Sequence, residues 1–179
     1  MKHELALIFG MLTVTPCLAL DLKSADIVEG QKLKQEQVAD IFGCKGGNVS
    51  PSLSWSGAPE GTKSFAVSIY DPDAPTGSGW WHWTVFDIPA TATGLASGAG
   101  NAKGKDLPAG AIQGRTDYGS SQFGGACPPA GPPHHYIITL TALKVDRLGL
   151  DSGASGALVG FMTKANALAS ATITATYGQ

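Results

Sequence analysis

Charge is scarce in this chain. Its 179 residues include 12 Lys or Arg and 14 Asp or Glu, for a net charge of −2. That balance excludes the basic footprint of a nucleic-acid-binding domain, and no run of like charges forms an acidic or basic tail. Cysteine numbers three and histidine four. There is no G-x-S-x-G nucleophile elbow, which removes the simplest serine-hydrolase reading. There is no internal repeat. No apolar run reaches the ~20 residues that a membrane-crossing helix needs. What the chain has in quantity is Gly (24) and Pro (11), dispersed among apolar stretches. That pattern reads as many turns in one folded domain, not as a disordered tract.

The first residues differ from the rest. Lys2 is followed by an apolar run from Leu5 to Val14, then by Pro16 and Cys17-Leu18-Ala19. This is the pattern of a secretory signal peptide cleaved after Ala19. The expectation is a leader over residues 1–19 and a single domain over 20–179, in the periplasm or secreted. A buried first helix is the bland alternative. A lipid anchor at Cys17 is disfavoured, because Pro16 stands where a small residue belongs. After cleavage two cysteines remain, Cys44 and Cys127. An even pair in an exported chain suggests a disulfide, and the chain-entropy model gives roughly 4–5 kcal/mol for so long a loop. Two unpaired buried thiols remain the alternative.

Period-two alternation marks strands at Ser64–Tyr70, Trp81–Ile88, Tyr136–Leu143 and Thr172–Tyr177, with weaker candidates at Leu20–Val28 and Ser52–Trp55. Alternation puts Trp80, His82, Thr84 and Phe86 on one face, and His134, Tyr136, Ile138 and Leu140 on another. Apolar residues at helical spacing predict a helix over Ala154–Ser170, capped by Asp151 or Ser152. A short helix is expected near Gln35–Phe42. The stretches Gly94–Gly110 and Arg115–Pro133 are long loops, which in compact domains are functional or tied down. The sum is a mainly antiparallel β domain with a C-terminal helix packed on it.

All three histidines beyond the leader lie in two motifs. One is Tyr70-Asp71-Pro72-Asp73-Ala74-Pro75 with Trp80-Trp81-His82-Trp83; the other runs from Cys127-Pro128-Pro129 to His134-His135-Tyr136. If the three strands are neighbours, Asp71, His82, His134 and Tyr136 meet at one rim of the sheet. Two imidazoles and a phenol supply hydrogen-bond donors to an anion, and a carboxylate can orient an imidazole. A phosphate or phosphomonoester fits this group, with Trp80 or Trp83 stacking on an organic part or a cation. With no Lys or Arg in these motifs, binding is expected to be modest and stronger at low pH. A metal site of Asp71, His82 and His134 is an alternative that spacing alone leaves open. Asp73 reads as a turn residue bonding its own backbone, and Gly124-Gly125 as a turn.

These motifs together resemble the phosphatidylethanolamine-binding protein family, in particular its bacterial, Raf-kinase-inhibitor-like branch. The resemblance runs from about Leu22 to Tyr177. Supporting it are Asn48-Val49-Ser50-Pro51, Leu53-Ser54-Trp55 and Gly153-Ala154-Ser155-Gly156-Ala157. It implies a large central sheet with a smaller sheet on one side and a helix on the other. It also implies a small anion-binding cavity, with Asp71 as pocket carboxylate, His82 and His134 as pocket histidines, Trp80 and Tyr136 as aromatic lining and Pro75 as wall. Members are binding and regulatory proteins, several linked to inhibition of kinases or serine proteases. No catalytic residue, cofactor or resident metal is implied. Two departures stand out: His135 occupies the family's usual Arg position, and Cys127 stands where a small residue commonly lines the entrance. If bridged to Cys44, Cys127 is unavailable as a ligand.

The expected partner is therefore a small phosphorylated or anionic ligand, with no nucleic acid and no transmembrane segment. Any protein target is unknown, and a homodimer is left open. Two rival readings are a metal-dependent or histidine-based hydrolase of phosphorylated substrates, and a protein-interaction module with a vestigial pocket.

Overall fold

A computed structural model describes residues 19–179. The leader, Ala19 excepted, lies outside the described residues. The chain forms β1 (Asp21–Lys23), β2 (Leu53–Ser56), β3 (Ser64–Asp71), β4 (Trp80–Pro89), β5 (Gly94–Leu95), β6 (Ile112–Gln113), β7 (His134–Leu143), α1 (Gly156–Asn166) and β8 (Ala167–Tyr177). Five strands make the large antiparallel sheet in the order β6-β4-β3-β7-β8, and β1-β2-β5 make the small one. The fold is the mainly β architecture that the resemblance implies.

The large sheet is covered on both faces. Phe65, Val67 and Ile69 of β3 pack with Trp83 and Val85 of β4, Ile138 and Leu140 of β7, and Leu22, Leu53 and Trp55 of the small sheet. On the opposite face Ala66, Phe86 and Leu143 pack with Leu148, Ala154 and Val159 of the α1 side. A strand buried on both faces loses the clean apolar–polar alternation. That is why β3 reads as nearly continuous burial.

Several boundaries move relative to the sequence reading, each for a tertiary reason. The helix expected over Ala154–Ser170 covers only Gly156–Asn166, and its cap is Ser155, whose Oγ accepts from the Leu158 amide at 3.3 Å. The remaining residues are strand, because β8 pairs with β7 from Ala167↔Leu143 to Tyr177↔His134. A ladder that runs the length of β8, with one register shift between Ala142 and Leu143, outweighs the few tenths of a kcal/mol per residue by which Ala and Leu prefer helix. The helix expected near Gln35–Phe42 is a single 3-10 turn, Gln35–Gln37. The chain beyond it bonds elsewhere: Ala39 donates to the Ala126 carbonyl, and Ala126 donates to Gln37. The weak N-terminal strand shortens to Asp21–Lys23, while Leu53–Ser56 matches its neighbour closely. The two long loops are tied down by backbone pairing through β5, β6 and the Ala126 contacts.

Helix α1 sits on β4 through a close approach at two glycines. A Cβ added at Gly156 would lie 2.2 Å from Cγ of Trp81, and one at Gly160 would lie 3.2 Å from Cη2 of the same indole. Only hydrogen at position 156 lets the helix start rest on the ring. Gly156→Ala should therefore destabilise the fold by about 1–3 kcal/mol through overpacking, despite alanine's better helix propensity. Gly160→Ala should cost less. Urea unfolding midpoints check this; a Gly156→Ala protein as stable as the parent would contradict the packing argument.

Candidate functional site

Strand order brings the two motifs together. β3 lies between β4 and β7, so the end of β3 meets the starts of both neighbours. Asp71 pairs with Trp80 across β3–β4, and Tyr70 pairs with Ile137 across β3–β7. At that rim a cavity of about 180 Å³ opens, lined by Asp71, Pro75, Trp80, His82, His134 and Tyr136 among others. The six residues singled out from the sequence thus surround one space.

Asp71 is 2% exposed and fully engaged. Its Oδ1 accepts from the amides of Asp73 (2.8 Å) and Ala74 (3.1 Å), and its Oδ2 accepts from Nδ1 of His134 (2.7 Å). The first two bonds curl the Asp-Pro-Asp-Ala-Pro segment over the carboxylate and set Ala74, Pro75 and Thr76 as one wall. The third holds His134 as an Nδ1–H tautomer, with Nε2 as its other nitrogen.

Asp73 does not bond its own backbone, as a turn residue would. Its Oδ2 accepts from both the amide and Nδ1 of His135, each at 2.7 Å. Those bonds hold its carboxyl below the usual carboxylate range. The residue after His134 therefore clips the turn to β7 from outside the cavity.

His82 reaches the cavity through an irregularity in β4. Ile69 pairs with Trp83 but Tyr70 pairs with Trp81, so His82 is an extra residue opposite that step. Strict alternation, which placed His82 with Thr84 and Phe86, fails here. A bulge keeps Trp80 and His82 on the cavity side and hands the core face to Trp83 and Val85, while Phe86 turns to the helix side. His82 is 3% exposed, and its Nδ1 lies 2.8 Å from the Gly124 carbonyl. A carbonyl only accepts, so Nδ1 carries the proton. Burial pushes the imidazole pKa below its ordinary value of 6.5, which keeps the ring neutral. Its Nε2 is then a buried lone pair without a partner. This revises the expectation that His82 donates to an anion.

Gly124-Gly125 is not a free turn. Gly124 also donates to the His82 carbonyl, and Gly125 accepts from the Tyr118 hydroxyl at 2.7 Å. A Cβ at Gly125 would lie 2.5 Å from the backbone of Val38 and Ala39. The dipeptide is a strap that aims two cavity rings. Tyr118 itself was not singled out from the sequence, because it sits in a loop with no periodicity. It packs edge-on against Trp80 and His82, with centroids at 5.3 and 5.6 Å, and Phe42 stacks on it at 6.0 Å. Phe42 was missed for the same reason. Cys44 and Cys127 are joined in a disulfide, so the Cys127 sulfur is committed to the wall and cannot ligate.

The cavity wall is polar but largely uncharged. Burial raises the pKa of both Tyr118 and Tyr136, keeping each a neutral phenol. Among the described residues no Lys or Arg lines the cavity. Six buried side-chain polar atoms among the described residues lack a partner, and three belong to this wall: Trp80 Nε1, His82 Nε2 and Tyr136 OH. Buried polar groups are rarely left unpaired, so their concentration here sets this wall apart from the rest of the described interior. Among the described residues no three His, Cys, Asp or Glu side chains converge as a metal-holding group.

The buried neutral His82 makes stability depend on pH. In the unfolded chain it takes up a proton near 6.5, whereas in the folded chain burial opposes protonation until lower pH. Stability is thus lost as pH falls below about 6.5, with a slope of up to about 1.4 kcal/mol per pH unit for one proton. Urea midpoints at pH 7 and 5.5 should fall less in His82→Gln than in the parent. Equal losses in both would show that His82 is not the linked group.

Comparison with known proteins bears on the family and the fold. Residues 23–178 match the family described as phosphatidylethanolamine-binding protein. UPF0098 protein YbcL of Escherichia coli is 58% identical over 160 residues, covering 89% of this chain and 87% of the relative. UPF0098 protein YbhB of the same organism is 48% identical, covering 88% and 99%. The crystal structure of E. coli YbcL, described as a new member of the mammalian PEBP family, superposes with a TM-score of 0.88 at 57% identity, covering 89% of this chain and 98% of that one. A Chlamydia trachomatis structure described as a phosphatidylethanolamine-binding protein homologue gives 0.75 at 26% identity, covering 90% and 99%. With one family matching nearly all of the described chain, and a 58% identical relative sharing its fold, the chain belongs to the phosphatidylethanolamine-binding protein family.

Proposed function

We propose that the protein binds a small phosphorylated or anionic ligand in the rim cavity and acts as a binding protein, not a hydrolase. The observation that carries this is the set of three buried, unpartnered polar atoms on one small wall, beside the Asp71–His134 pair. Trp80 Nε1 and Tyr136 OH are neutral donors, and Asp71 gives His134 a fixed orientation from which Nε2 can meet the ligand. Asp71 positions and does not contact, since its carboxylate already accepts three hydrogen bonds. The stiff prolines Pro75, Pro128 and Pro129 keep the wall shaped before the ligand arrives, which lowers the ordering cost of binding. The size, about 180 Å³, suits a head group rather than an acyl chain.

We propose further that the protein is exported. The leader pattern supports this, as does a disulfide between residues 83 apart in sequence, a bond that oxidising compartments preserve. The mass of the N-terminal peptide of protein recovered from the expressing cells should place the mature start at Leu20. An intact Met1 in exported protein would contradict the leader.

Calorimetry with inorganic phosphate checks the binding reading. The parent should bind, and His134→Ala should weaken affinity about ten- to a hundredfold, the range of one hydrogen bond to a charged group. Absence of phosphate binding at millimolar concentrations would reject the proposal.

A further inference from the structure

We propose that the cavity selects a phosphate that still carries a proton, a phosphomonoester or hydrogenphosphate monoanion, and rejects a sulfate ester of the same shape and charge. This rests on the anion-binding reading above and adds the chemical class of ligand to it.

Two observations on the wall point the same way. The first is the tautomer of His82. Its Nδ1–H is spent on the Gly124 carbonyl at 2.8 Å, so turning the ring over would break that bond. The nitrogen left over, Nε2, is buried and has no donor in bonding range. Tyr136, whose ring centroid lies 5.1 Å away, does not supply one; its hydroxyl is itself unpartnered. A neutral imidazole nitrogen in this state accepts a hydrogen bond and repels an oxygen lone pair. A ligand that fills the cavity must therefore bring a donor to His82.

The second observation is charge. Among the described residues the wall holds the Asp71 carboxylate and no Lys or Arg. A dianion would face that carboxylate with no Lys or Arg beside it to offset the repulsion. A monoanion meets no such excess. Hydrogenphosphate monoanions and phosphomonoester monoanions combine both features, one P–OH donor and one negative charge. Their remaining oxygens accept from Trp80 Nε1 and Tyr136 OH. Sulfate offers acceptors only. A site built around a ligand hydroxyl discriminates strongly against an analogue lacking it, because the buried partner is left unpaired.

The direct test uses two ligands that differ by one proton. Methyl phosphate near pH 5.5 is mostly a monoanion bearing a P–OH, since the second ionisation of a phosphomonoester falls near pH 6. Methyl sulfate is a monoanion of closely similar shape with no proton. At one pH the protein's own titrating groups cancel from the comparison. Those facing His82 are Asp71 on β3, His134 and Tyr136 on β7, and Tyr118 with Asp117 in the Arg115–Pro133 loop. Calorimetry should give methyl phosphate an affinity about ten- to a hundredfold above methyl sulfate. In His82→Phe the two esters should bind within about twofold of each other, since the lone pair is gone.

Equal affinities of the two esters for the parent protein would overturn the inference and leave anion binding standing. Binding of neither ester would overturn both. A phosphate preference that survives in His82→Phe would overturn the assignment to His82. Should that variant not fold, the two esters on the parent protein still decide the matter.

Discussion

The Asp71 carboxylate is the point on which the rim of this protein depends. It ends β3, and its three hydrogen bonds reach the following turn and the start of β7. A buried carboxylate left with fewer partners would cost several kcal/mol. The three donors therefore determine where the turn and His134 must lie. The Asp73–His135 bonds repeat the link from the solvent side. Between them, two consecutive histidines of β7 are held by two nearby aspartates of one turn.

The opposite wall is held by the Gly124-Gly125 strap. Its carbonyls orient His82 and Tyr118, and its amides bind β4 and Asn48. Such a strap works only without side chains, because a Cβ at either glycine would overlap the Tyr118 ring or the backbone of Val38 and Ala39. The disulfide from Cys127 to Cys44 anchors the next residues of the same loop, and Phe42 beside Cys44 closes the stack on Tyr118. A loop with no regular structure of its own thus becomes as constrained as a strand.

Much of the fold was legible locally. The four principal strands read from period-two patterns, since side-chain alternation is a property of each strand alone. The convergence of Asp71, His134 and Tyr136 followed from phase and strand ends. What failed did so where one segment answers to another. Ala167–Ser170 looks helical by spacing, yet β7 recruits it as strand. Asp73 looks like a turn residue, yet it serves His135. Tyr118 and Phe42 carry no local signal, because only the loop's path places them on the cavity.

The residues themselves determined the chemistry available to this protein: two carboxylates, three histidines and a few aromatic rings in two short motifs, with no cationic side chain among them. Those identities, and the strands that carry them, are written in consecutive positions and need no partner to be read. The tertiary structure alone decided how that chemistry is presented. His82 faces the cavity because β4 takes one extra residue against β3, and its proton sits on Nδ1 because a carbonyl 42 residues away accepts it. Register and tautomer are both set by contacts between distant segments, and no local pattern encodes which atom of a side chain will be left without a partner.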